Sequence, residues 1–133
     1  MDASAASSYA VSSDGSLSVI DGAVPTTETA ACWIAISVNS RFAYTTNTGS
    51  GTVTGFSIDH GGNLALLNAD GVTGDAGTGT RPIDAAFSSG GRYLYVLASG
   101  TSEIAVFAID AHGGLTKLPG ASLPAGANGM AAW

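Results

Sequence analysis

The sequence predicts an all-β fold, and three observations predict it. The first is a scarcity: 133 residues include one Lys and no Gln, and Lys and Arg together number 4. Helix surfaces are built mainly from Glu, Lys, Gln and Arg, so a helical protein has little to be made from here. The second is turn and strand chemistry, with 19 Gly, 16 Ser and 13 Thr. The third is alternation of apolar residues at period two between Gly/Ser/Asp clusters, the signal of strands joined by hairpins. A hydrophobic fraction of 45% excludes wholesale disorder.

The elements follow from an internal repeat of 51 residues. Residues 41–67 read RFAYTTNTGSGTVTGFSIDHGGNLALL and residues 92–118 read RYLYVLASGTSEIAVFAIDAHGGLTKL, with nine identities in 27 ungapped positions. The pairs include Arg41/Arg92, Tyr44/Tyr95, Phe56/Phe107, Asp59/Asp110 and Gly62/Gly113. In the second copy, Ile83–Phe87 is an apolar strand closed by the turn Ser88-Ser89-Gly90-Gly91. Tyr93–Ala98 follows and ends at Ser99-Gly100-Thr101-Ser102. Glu103–Ile109 alternates, Asp110-Ala111-His112-Gly113-Gly114 turns the chain, and Leu115–Leu118 is a short outer strand. Four antiparallel strands per repeat describe the blade of a β-propeller.

The ends read as partial repeats. Residues 9–24 supply the third and fourth strands of a preceding blade, an outer half-blade. Residues 29–70 and 80–120 are whole blades, and 126–133 are expected to form the inner strand of a following one. That is about two and a half blades, whereas propeller rings have about 4 to 8. One chain therefore does not close a ring. Its raw sheet edges predict self-association through blade edges, with two copies giving about six blades or an open stack.

With these motifs in place, the chain resembles the lactonase-type seven-bladed propellers. That group includes bacterial 6-phosphogluconolactonase and fungal 3-carboxy-cis,cis-muconate cyclase, and it is similar to the Tyr-Val-Thr-Asn repeat proteins. The residues that carry the resemblance are Tyr44-Thr45-Thr46-Asn47, the hairpin Ser88–Val96, the turn Asp110–Leu115 and the segment Ala31-Cys32-Trp33-Ile34. The second copy departs from the pattern at Ala98, where the first has Asn47. The resemblance implies opening or closing of a small lactone ring without a redox cofactor, by a hydrolase or an isomerase. Such chemistry needs a carboxylate or His to move a proton and an Arg to hold an anionic group. No complete set matches here, so the chain is expected to have no turnover of its own. The alternative is a non-enzymatic binding or scaffold module.

Three side chains are candidates for a channel site. Arg81 precedes Pro82 and the inner strand; it either binds an anionic substrate or pairs with an acidic loop residue such as Asp75. Asp84, within the inner strand, is either a general base or a cap for backbone N–H groups. Glu28, before the first inner strand, is either the equivalent acid or a solvated loop residue. His60 and His112 sit in turns that diverge outward, so no metal site and no cofactor site is expected. Cys32, beside Trp33, is expected to be a buried, inert thiol. The paired Arg41/Arg92, being repeated, read as structural.

Charge and composition narrow the partners. Ten acids against 4 bases give a formal charge of −6, which argues against nucleic acid. No apolar run of about 18 residues exists to span a membrane. Met1–Ser8 has neither the basic nor the apolar region of a signal peptide. A single Cys excludes an internal disulfide and leans slightly toward a cytoplasmic compartment without fixing it.

Overall fold

A computed structural model describes residues 4–133. It contains strands only. Strands β1 (Ala5–Val11) and β2 (Leu17–Pro25) form a two-stranded antiparallel sheet. Strands β3 (Ala31–Ile36), β4 (Phe42–Asn47), β5 (Thr52–Ile58) and β6 (Leu64–Leu66) form a second sheet in sequence order, and β7 (Gly74–Asp75) also pairs with β5. Strands β8 (Pro82–Phe87), β9 (Tyr93–Ala98), β10 (Glu103–Ile109) and β11 (Leu115–Ser122) form the third. These are an outer half-blade and two whole blades of a β-propeller, as the repeat predicts.

The repeat extends to backbone detail. Residues 51 apart share left-handed φ: Ala30 at 57° with Arg81 at 50°, Ser40 at 56° with Gly91 at 66°, and Gly51 at 77° with Ser102 at 53°. Each inner strand bulges at the same place, between Ala31 and Trp33 in one blade and between Pro82 and Asp84 in the next. A bulge re-aims the side chains that follow it.

The blades meet through one apolar core of Phe42, Tyr44, Val53, Leu94, Val96 and Phe107. Tyr44 packs against Phe87 with ring centroids 5.9 Å apart. Its hydroxyl donates to the Gly113 carbonyl across the blade boundary at 2.9 Å. Burial, with the Asp110 charge second, drives that phenol far above its ordinary pKa, so it stays a proton donor. Gly113 has φ 86°, and a Cβ there would stand 2.7 Å from the Phe42 ring and 2.8 Å from Leu67. Only glycine fits that turn.

The structure differs from the sequence reading in three places. The segment 71–80, which lies between the two predicted whole blades, contributes β7, which lies beside the start of β5 where β6 has ended. Gly55 makes room for this loop: a Cβ there would meet Leu67 at 2.8 Å and the Thr73 hydroxyl at 2.9 Å. Strand β11 runs on to Ser122 because Pro119, lacking an N–H, lies on the outermost strand, where no ladder bond is lost. Residues 126–133 carry no ladder, so the expected inner strand is not formed. At a spacing of 51, Trp133 corresponds to Pro82, so 126–133 match the connection that leads into an inner strand.

Candidate site at the channel mouth

The connections into β3 and β8 lie at the same end as the β4–β5 and β9–β10 turns. Gly49 N donates to Thr29 O at 3.0 Å, and Gly100 N donates to Thr80 O at 2.8 Å, the same bond in each blade. Thr48 Oγ1 donates to Pro82 O at 2.7 Å and joins the two blades at this end. Glu28, Arg81 and Asp84 all belong here, yet their positions 51 residues away hold Gly79, Ala30 and Trp33. The frame is repeated and these polar side chains are not.

Arg81 is exposed and left-handed. Its carbonyl accepts from Ser99 N at 3.2 Å and Ser99 Oγ at 2.9 Å, which fixes the backbone and leaves the guanidinium outside. Among the described residues it has no acidic partner, so the expected pairing with Asp75 is not made; Asp75 is held in β7 instead. Asp84 is 8% exposed, and both carboxylate oxygens are used: Oδ1 accepts from Ala85 N and Oδ2 from Met130 N, each at 2.7 Å. Both bonds come from backbone N–H groups. The bulge at Ile83 places it there.

Glu28 is tied into a side-chain network that neither sequence reading included. It is half-buried, and its Oε2 accepts from Thr52 Oγ1 at 2.7 Å. Thr52 in turn accepts from Asn47 Nδ2 at 3.1 Å, and Asn47 also donates to Thr54 Oγ1 at 2.9 Å. Asn47 is fully buried, with its Oδ1 unpartnered. Sequence reasoning missed this network. Its signal was present as Thr52 and Thr54 alternating on one strand opposite the end of β4.

Cys32 is exposed, contrary to expectation. It is the bulged residue of β3, and Trp33 and Ile34 beside it are 51% and 44% exposed. The inner strand has no strand on its far side. Among the described residues no three His, Cys, Asp or Glu side chains gather as metal ligands, and His60 and His112 lie exposed in outer turns. No helix there is long and apolar enough to cross a membrane.

Fold and mouth together define a class: blades of an all-β propeller whose channel end carries, among the described residues, an arginine without an acidic partner. The sequence pattern of the family described as Lactonase, 7-bladed beta-propeller matches residues 2–127. The chain belongs to that family. It is similar in structure to a periplasmic gluconolactonase of Pseudomonas aeruginosa, at 24% identity and TM-score 0.70, covering 88% of this chain and 33% of that one. It is also similar to a putative 6-phosphogluconolactonase of Bacteroides uniformis, at 24% identity and TM-score 0.75, covering 92% and 36%. A putative 6-phosphogluconolactonase of Bacteroides fragilis matches at 24% identity and TM-score 0.68, covering 84% and 32%. The chain thus spans about a third of the length of these structures. No curated protein matches it.

Proposed function

We propose that this chain is one arc of a lactonase-type ring and supplies the anion-holding part of a small-lactone site, without turnover of its own. The supporting observation is the state of the three mouth residues. Asp84 holds backbone N–H groups with both carboxylate oxygens, and Glu28 accepts from Thr52 with one. Arg81 alone is uncommitted. Ring opening needs a group to move a proton as well as one to hold charge, so this arc meets half of the requirement. The substrate class rests on the family and on the names of the similar structures, which concern gluconolactones. Ring closure on a muconate-type acid is the alternative reaction, since an arginine would hold its carboxylate equally well.

The experiment is hydrolysis of 6-phosphogluconolactone against the spontaneous rate. The chain alone is expected to add nothing. Turnover that disappears in Arg81→Ala would show a complete site and overturn the reading.

Completion of the ring rests on the open edge of β1. We infer that this edge is covered in an assembly, by further blades or by a second copy. Tyr9, Val11, Leu17 and Val19 stand 47–72% exposed on the half-blade, too much apolar area for a free surface. Native mass spectrometry is expected to give dimers or larger species, and a stable monomer at low concentration would sink self-association.

A further inference from the structure

The chain contains one complete interface between whole blades, and the repeat shows what its two outermost faces are built to meet. In that interface the second blade presents Phe42, Tyr44 and Leu67, and the third presents Phe107, Leu115 and the turn at Gly113. The Tyr44 hydroxyl donates to Gly113 O at 2.9 Å. The turn comes so close that a Cβ on Gly113 would meet Phe42 at 2.7 Å and Leu67 at 2.8 Å. A ridge of aromatic and aliphatic side chains receives a glycine turn.

Both halves of this contact occur a second time, at opposite ends of the arc and without a partner. On the third blade, the residues 51 beyond Phe42, Tyr44 and Leu67 are Tyr93, Tyr95 and Leu118. Leu94 and Val96 belong to the inter-blade core, so Tyr93 and Tyr95 alternate to the other face of β9. Val106 stands opposite Tyr95, and Leu118 opposite Val106, so the ridge runs across three strands. The cation stack is kept as well: Arg92 lies 5.8 Å from the Tyr93 centroid, as Arg41 lies 5.4 Å from that of Phe42.

The half-blade repeats the other side. Its turn closes with Ser12 N on Ser16 O and Gly15 N on Ser12 O, each at 2.9 Å. The third blade has the same pattern, Asp110 N on Gly114 O at 3.0 Å and Gly113 N on Asp110 O at 3.2 Å. Gly15 therefore stands where Gly113 does. Tyr9 pairs with Val19 and Val11 with Leu17, as Phe107 pairs with Lys117 and Ile109 with Leu115. Opposed residues of an antiparallel pair share a face, so these four apolar side chains form one surface. It is the surface that Phe107 and Leu115 turn toward the second blade. The glycine turns of the whole blades are occupied, Gly62 by Ile20 and Gly113 by Phe42, whereas a Cβ on Gly15 would meet nothing within 4 Å.

We propose that copies of this chain associate head to tail. The ridge of Tyr93, Tyr95 and Leu118 on one copy receives the half-blade face and Gly15 turn of the next, and the Tyr95 hydroxyl donates to the Gly15 carbonyl. This rests on the self-association inferred above and assigns it to two sheet faces. The contact is heterologous, so every copy brings one ridge and one turn.

The test is native mass spectrometry and sedimentation of the whole chain. The wild type is expected to form dimers and larger species. Leu17→Asp spoils only the half-blade face and Tyr95→Arg only the ridge, so each alone is expected to be monomeric. Their equimolar mixture is expected to form a one-to-one dimer and nothing larger, because one intact ridge and one intact turn remain. Gly15→Ala adds a Cβ that is free in the single chain and meets the ridge in the pair; about tenfold weaker association is expected. Tyr95→Phe keeps the ring and is expected to weaken association about fivefold; it tests the ridge if Tyr95→Arg does not fold. A monomeric wild type overturns self-association and this interface together, and leaves further blades as the cover. If the wild type associates and Leu17→Asp and Gly15→Ala do so undiminished, self-association stands and these faces are overturned. A mixture that stays monomeric overturns the head-to-tail pairing.

Discussion

Tyr9 and Phe107 occupy the same place in two blades and meet opposite fates. Each stands two residues before the end of its strand, in pairs that close at Val11–Leu17 and Ile109–Leu115. Each strand then turns through a glycine with nearly the same φ, 85° at Gly15 and 86° at Gly113. Phe107 is 1% exposed and Tyr9 is 47% exposed. The residue and its local backbone are the same kind of thing; the difference is whether a second strand and a neighbouring blade are present. Burial in a propeller is conferred by the next strand over, and an arc of a ring is well packed only in its middle.

Substitutions at matched positions put this comparison to the test. Phe107→Ala is expected to cost about 3–5 kcal/mol in urea unfolding, because it opens a cavity in the inter-blade core. Tyr9→Ala is expected to change stability by no more than about 0.5 kcal/mol in the free chain. Equal effects would mean that the half-blade is packed against something in solution. Next in size, Gly113→Ala is expected to cost about 1–3 kcal/mol through the left-handed backbone and the contact with Phe42. Gly15→Ala shares the φ but meets no atom within 4 Å, so it should cost less. Tyr44→Phe removes only the bond to Gly113 O, an expected loss of about 1 kcal/mol that separates the hydrogen bond from the packing.

The smallest effect concerns pH. Asp59 is held below its ordinary value of 3.8 by the Asn63 side chain and nearby backbone N–H groups, and Asp110 by the N–H groups of His112 and Gly114. A carboxyl whose pKa is lowered by folding contributes stability above its unfolded value and loses it as pH falls. The thermal midpoint is therefore expected to drop on acidification below about 3.8. That acid limb should shrink in Asp59→Asn and Asp110→Asn. A wild-type curve that is flat down to acid would remove these turns from the account.

The blades were legible because their turns are written in residue types with local causes. Asp110 to Gly114 can form little but a tight turn, and the spacing of 51 then carries the assignment from one blade to the other. The network at Glu28 was less legible, since it joins Glu28 to Thr52 and Asn47 across two strands and depends on register rather than on any short motif. Cys32 and Trp33 misled for a different reason. An apolar strand beside a thiol reads as core, and the sequence does not say on which side of β3 another strand lies. Residues 126–133 fall, at a spacing of 51, on residues 75–82, a phase that their own Gly and Ala composition does not reveal.

The exposed thiol of Cys32 has a practical consequence. The bulge of β3 sets one sulfur at the inner strand, and no second cysteine competes with it. A spin label attached there would report from the exposed inner strand β3. If copies close into a ring, the label-to-label distance would report how far apart their β3 strands stand, and an open stack would give a different spacing.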